Sequence, residues 1–342
     1  MSNIFKKRSV IICAGILSLV LAILVMGFVL FLNRPAEKEG KDQVIIVREG
    51  MNLKEVAGEL YSNNIISSKT PFMLWARIMG YSRKIKSGEY LLSPRITPLK
   101  VMEILTRGVI ITHSITVPEG FTRKQIAQLL SDKDLVDKKQ FLELTDNPDL
   151  LKKYGVTGPS LEGYLYPDTY RFGRGLSAGS IIESMVSRFF SVVEPFKESI
   201  EKSGMTLPEI VTLASIVEKE TGKDEERPII ASVFLNRLKK RMRLESDPTV
   251  IYGINEFNGN LTRKDLSAKT PYNTYVIRGL PPGPIACPGF EAIKAVLFPA
   301  DTKYLFFVSK NDGSHHFSQT LQEHNNAVIL YQKRGRRSKG RS

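Results

Sequence analysis

Glu218 lies at the end of a largely apolar helical stretch, Leu207 to Val217, a placement that fits a proton donor. At 3.6 residues per turn it shares a face with Ala214, Val211 and Leu207. A carboxyl held against apolar neighbours resists ionisation, so its pKa is expected to rise toward the range useful to a general acid. The competing reading is a helix-end glutamate that swings out to solvent, since structural groups also titrate anomalously. Glu220 is rotated by about 200° and points the other way. A second chemistry competes. Gly175-Leu176-Ser177-Ala178-Gly179 matches a nucleophile-elbow pattern, with Asp247 and His315 downstream in the order of a serine hydrolase. Ser177 reads more naturally as the N-cap of the following helix, and no parallel βαβ series surrounds it. Cys287 has no companion thiol and reads as inert. His315 and His316 would point to opposite faces of a strand and form no metal spacing with His324. Neither a metal nor a cofactor is expected.

The elements that position these groups begin with an anchor. Val10 to Leu32 carries no charge and is long enough to cross a hydrocarbon core of roughly 30 Å. Lys6, Lys7 and Arg8 precede it, which places the N-terminus in the cytoplasm and the rest outside. The apolar run exceeds the usual ~7–15 residues of a cleaved signal, and no Ala-x-Ala site follows it. The two cysteines are Cys13, inside the anchor, and Cys287, so no intrachain disulfide is expected. The net charge of +14 is partly concentrated in a terminal basic stretch after Gln332. Nucleic acid is not the expected partner of that stretch, because it lies outside the cell and lacks interleaved aromatics. Anionic lipid or wall polymer is a reading of it, as is a solvated, disordered end.

An internal repeat follows the linker. Val44 to Ala57 aligns with Ser114 to Ala127, each reading as strand, Glu-Gly turn, Asn or Thr cap, and amphipathic helix. Helices are expected over Pro71–Tyr81 and Leu99–Leu105, with a short strand at Glu89–Ser93. This order looks like a LysM module, a small unit that often binds N-acetylglucosamine polymers; a packing role is the alternative. The second half reads as helical: Ser177 to Lys202, the Glu218 helix ending at Gly222, and a helix from Pro228 to about Arg243 behind acidic Asp224, Glu225 and Glu226. A long irregular segment, Thr270 to Pro288, has the tyrosine and amide content that suits sugar contacts. A hairpin around Asn311-Asp312-Gly313 and a last helix from Ser318 to Tyr331 complete the reading.

Several blocks then carry a specific resemblance: Glu162-Gly163-Tyr164-Leu165-Tyr166-Pro167-Asp168-Thr169-Tyr170, Leu213 to Thr221, Ala231 to Leu238, Ser246-Asp247-Pro248-Thr249-Val250-Ile251-Tyr252-Gly253, and Tyr272-Asn273-Thr274-Tyr275 with Gly279 to Ile285. Together they resemble the endolytic murein transglycosylase family (MltG, or YceG-like), over about residues 5–332. The resemblance implies a single-pass inner-membrane protein whose catalytic domain faces the wall. It also implies cleavage of the β-1,4 bond between N-acetylmuramic acid and N-acetylglucosamine in nascent peptidoglycan glycan strands, leaving 1,6-anhydro ends. The family's catalytic glutamate maps onto Glu218, and association with penicillin-binding synthases is a further implication. Such a reaction needs one carboxyl, whereas ordinary glycoside hydrolases use two at a set separation. Ser215 is a candidate to hydrogen-bond Glu218. Asp247, Thr249 and Tyr252 are candidates to line the cleft, and Tyr272, Asn273 and Tyr275 to orient the sugar. The alternative for each is structural, Asp247 capping the helix that opens with Pro248 and the tyrosines buried in a loop. A non-catalytic glycan-binding scaffold of the wall-synthesis machinery is the rival from another class.

The expected architecture is α+β. Its segments are a cytoplasmic end (1–9), a transmembrane helix (10–32), a linker (33–43), a LysM-like subdomain (44–112), a connecting α/β segment (113–175), a helix-rich catalytic domain (176–332) and a basic tail (333–342).

Overall fold

The computed structural model describes residues 2–254 and 256–334. The expected terminal basic tail therefore falls outside the described residues from 335 onward, and Lys333 and Arg334 close a π-helical stretch, Ile329–Arg334. The chain divides into two compact units. One comprises Met1–His113 with Arg171–Ser177, the other Ser114–Tyr170 with Ala178–Ser342. The architecture is α+β, helices with small two-stranded sheets and one N-terminal apolar helix.

The first unit contains α1 (Ser2–Asn33), β1 (Gln43–Val47), α2 (Leu53–Ser62), α3 (Lys69–Ile78), β2 (Gly88–Leu92) and α4 (Pro98–Arg107). Within α1, Ile11–Asn33 is long and apolar enough to cross a membrane. β1 and β2 pair antiparallel, with Val47 opposite Gly88 and Gln43 opposite Leu92. Strand alternation sends Ile45 and Val47 inward and leaves Val44 out. They meet Val56, Leu60, Phe72, Tyr90, Leu92, Met102 and Leu105 in one core. Each such side chain stabilises the unit by roughly 1.5–3 kcal/mol on burial.

The strand β3 (His113–Thr116) pairs with β4 (Thr169–Phe172), and along these two strands the chain passes from one unit to the other. The second unit continues with α5 (Arg123–Ser131), α6 (Lys138–Thr145) and α7 (Pro148–Lys153). The helix expected from Ser177 to Lys202 is broken into α8 (Ala178–Val193), a 3₁₀ turn at Glu194–Phe196 and α9 (Lys197–Ser203). Pro195 has no N–H to continue the α-helical ladder, which accounts for the break. Next come α10 (Leu207–Glu220), α11 (Arg227–Lys239), α12 (Asp247–Tyr252), α13 (Arg263–Ser267) and α14 (Phe290–Leu297). An antiparallel hairpin of β5 (Phe306–Ser309) and β6 (His315–Ser318) and the helix α15 (Leu321–Val328) follow.

The repeat is visible at its caps. Asn52 and Thr122 each cap the next helix, with Glu55 and Gln125 returning a bond to the cap backbone. Gly50 and Gly120 both take positive φ, 87° and 73°, the region that favours glycine in a tight turn. Tertiary surroundings then separate the copies, one falling in each unit.

Candidate active site

The helix α10 is started by a local signal and held by burial. Thr206 accepts from the Glu209 N–H while Glu209 reaches back to the Thr206 backbone, and Pro208 sits in the first turn. Ile210, Val211, Leu213, Ala214, Ile216 and Val217 are fully buried, against α11, α12 and α14. The last turn is thereby fixed, and with it the directions in which Glu218 and Glu220 leave the helix.

Glu218 does not meet the apolar pocket that its spacing implied. Its side chain is 6% exposed, but both oxygens are engaged by donors: the Arg227 guanidinium reaches Oε1 at 3.0 Å and the Gly289 N–H donates to Oε2 at 3.0 Å. Helical periodicity reports which neighbours share a face, not what other elements bring to the tip of the side chain. Arg227 is equally buried, and it also pairs with Asp224 and lies 3.6 Å from Glu119. A cation in the first turn of a helix opposes the helix dipole, and here three carboxylates offset that cost. The Arg227 Nε is buried without a partner.

Glu119 completes the cluster and was not singled out from the sequence, where it read as a turn residue. The turn is clamped to the segment before α14: the Gly120 N–H donates to the Cys287 carbonyl at 2.9 Å, and the Cys287 N–H to the Phe121 carbonyl at 2.8 Å. Lys219 on α10 donates to the Gly120 carbonyl at 3.2 Å. The Glu119 carboxyl fills the space a Cβ at Gly289 would need, so only glycine fits there without displacing it. Burial, then the neighbouring Glu218 charge, push Glu119 above its ordinary value against the pull of Arg227. Its side chain is 48% exposed, so this side of the cluster is open to solvent. The available signal was Arg227 itself, a basic residue where a helix start favours acids.

Glu220 faces other groups. Its Oε1 accepts from the Ser246 hydroxyl at 2.5 Å, and burial pushes its pKa up to about 7. It lines a cavity of about 460 Å³ with Asp247, Tyr275, Arg237, His315 and His324 among the walls. Asp247 belongs to this cavity, where the Tyr275 hydroxyl donates to it at 2.6 Å. Ser246, not Asp247, is the N-cap of α12.

The other sequence candidates are engaged within the protein. Ser215 donates to the Thr212 carbonyl at 2.7 Å and accepts from the Ile285 N–H at 3.0 Å, tying the irregular segment to α10 and leaving no bond to Glu218. Thr249 is fully buried and bonds the Ser246 carbonyl and Thr274. Asn273, also fully buried, donates to the carbonyls of Asp265, Leu266 and Ala268. Tyr252 donates to Glu162 at 3.0 Å, with the Tyr272 ring 4.8 Å away. Glu162 also accepts from the Arg123 N–H at the start of α5, and burial pushes it up to about 7. The carboxylate on His315 is Glu226, whose Oε2 lies 2.7 Å from Nδ1, while Asp247 accepts from the Tyr275 hydroxyl, so the order Asp247–His315 of a serine hydrolase is not the pairing His315 makes.

Comparison with known proteins agrees along most of the chain. Residues 45–329 match the model of the YceG-like family. An endolytic murein transglycosylase of Bacillus subtilis is 35% identical over 317 residues, covering 88% of each chain. One from Streptococcus pneumoniae is 27% identical over 327 residues, covering 86% of this chain and 59% of that longer relative. The crystal structure of a yceG-like protein from Listeria monocytogenes is similar with a TM-score of 0.60 at 32% identity, covering 84% of this chain and all of that one.

Proposed function

The chain belongs to the YceG-like family, and from that premise we propose that it is an endolytic peptidoglycan lytic transglycosylase with Glu218 as acid and then base. It cuts the bond between C1 of N-acetylmuramic acid and O4 of N-acetylglucosamine. Protonated Glu218 gives its proton to O4 as the C1–O4 bond breaks, and the departing sugar leaves with a new hydroxyl. The muramyl O6 closes onto C1, its proton passes to the Glu218 carboxylate, and a 1,6-anhydro end results with the acid restored. The substrate's own acetamido group stabilises the charge that develops at C1, so no nucleophilic carboxylate is required.

The single observation that carries this reading is the cluster at the end of α10. One carboxyl is held between Arg227 and the Gly289 N–H, its position fixed by a fully buried helix. Arg227 and the N–H balance the charge on Glu218 after the first proton transfer. The names of the relatives support the substrate class.

Placement follows the same reading: α1 anchors the protein in the inner membrane with Lys6, Lys7 and Arg8 on the cytoplasmic side, so the sugar chemistry is extracytoplasmic. Penicillin-binding synthases are the matching protein partners, since they make the strands to be cut. The β1-α2-α3-β2 order of the first unit supports a LysM-like glycan contact. Digestion of purified glycan strands tests the reaction. Mass spectrometry is expected to find anhydro-muramyl ends; ordinary reducing ends would make water the acceptor and overturn the mechanism.

A further inference from the structure

The outer end of α1 is built into the first unit. Leu32 is buried, Phe31 packs against the core that contains Ile45, Leu60 and Phe72, and α1 lies beside α3 and α4. A bilayer crossed by α1 therefore ends at the foot of this unit, next to α3. That helix buries Phe72 and Ala76 completely, yet Leu74 and Ile78, one turn apart on another face, are 50% and 68% exposed. Met79, just past the helix end, is 49% exposed. Arg77 stands on the same side by helical spacing.

The charge along this segment has one sign. From residue 60 to residue 88 the chain carries Lys69, Arg77, Arg83, Lys84 and Lys86 and no Asp or Glu. An apolar stripe with a basic flank is the pattern by which helices lie in an anionic lipid interface, the apolar side chains entering the headgroup boundary and the cations meeting phosphate. A protein partner is less well matched, because the adjoining surface already provided by α1 is lipid. We propose that Leu74, Arg77, Ile78 and Met79, with Arg83 and Lys84, dock the first unit onto the anionic phospholipid surface of the bilayer that α1 crosses. The proposal rests on α1 being a membrane span.

Trp75 supplies the readout, being the single tryptophan of the chain and lying on α3 itself. The full-length protein is reconstituted in vesicles of phosphatidylcholine with phosphatidylglycerol, either unlabelled or carrying bromine near the headgroup end of the acyl chains. Flotation after alkaline carbonate reads the anchor separately. Protein that floats and whose Trp75 emission is quenched by the brominated lipid supports docking. Leu74→Ser with Ile78→Ser is then expected to abolish the quenching while far-UV circular dichroism stays unchanged. Arg77→Gln with Arg83→Gln and Lys84→Gln, all at exposed positions, is expected to weaken docking by about fivefold per charge removed, and only in anionic vesicles. Protein that floats but shows no quenching, or equal quenching in both variants, overturns the docking proposal. Failure to float overturns the anchor reading, and the docking proposal with it.

Discussion

Glu218 and Glu220 leave the same last turn of α10 in different directions and meet different surroundings. Glu218 reaches a buried guanidinium and a backbone N–H, beside a half-exposed second carboxyl. Glu220 reaches a serine hydroxyl at the wall of a polar cavity and is pushed up to about 7 by burial. The burial that raises the proton affinity of Glu220 does not by itself assign it a chemical role. The proton-transfer role proposed for Glu218 draws on the partners its side chain meets, which would stabilise its charged form after it has acted. Glu162, also pushed up to about 7, makes the same point, since it accepts from the first N–H of α5 and from the Tyr252 hydroxyl.

Substitution of each glutamate in turn puts the sharpest strain on this contrast. Glu218→Gln is expected to lower the release of anhydro-ended fragments roughly a hundred- to ten-thousandfold, whereas Glu220→Gln costs less than about tenfold. Equal losses would erase the distinction. Arg227→Met leaves the Glu218 carboxylate buried without its cation, and urea unfolding in mild detergent is expected to show about 3–5 kcal/mol of lost stability.

Glu162 and Glu220, the carboxyls pushed up to about 7, give a pH signature. As pH rises past the ordinary value of 4.5, the unfolded chain loses these protons first, while the folded Glu162 and Glu220 keep theirs until about 7. Stability therefore falls between those limits and levels off above them. Unfolding measured at pH 5 and pH 8 is expected to differ by about 2–3 kcal/mol per group, and Glu162→Gln or Glu220→Gln to remove its own share. Gly289→Ala retains the N–H on Glu218 but occupies the place of the Glu119 carboxyl. About a fivefold to tenfold loss of activity with little change in stability is expected, from displacement of a neighbour of the acid. The smallest effect belongs to Tyr275→Phe, which removes the bond to Asp247; stability is expected to drop by under about 1 kcal/mol and activity to stay within twofold.

Local devices were legible in the residues themselves. The uncharged run that becomes most of α1, the paired Glu-Gly turns, the helix caps at Asn52 and Thr122, and the different directions of Glu218 and Glu220 all follow from short-range geometry. Motif blocks likewise pointed to the family and to α10, because they preserve residue types in order. The distant surroundings of Glu218 were not legible. Glu119 lies 99 positions before it and Gly289 lies 71 after it, and no periodicity links sites so far apart. Ser215, Thr249 and Asn273 looked available for a ligand because hydroxyls and amides suit sugars, but the same groups also satisfy buried backbone, and only the packed chain determined which need came first. The sequence by itself determined the helix that carries Glu218 and the face it shares with Ala214 and Val211. Tertiary structure decided that the carboxyl would be met by a cation and an N–H instead of apolar walls, because buried polar groups require partners and the chain had to supply them from elsewhere.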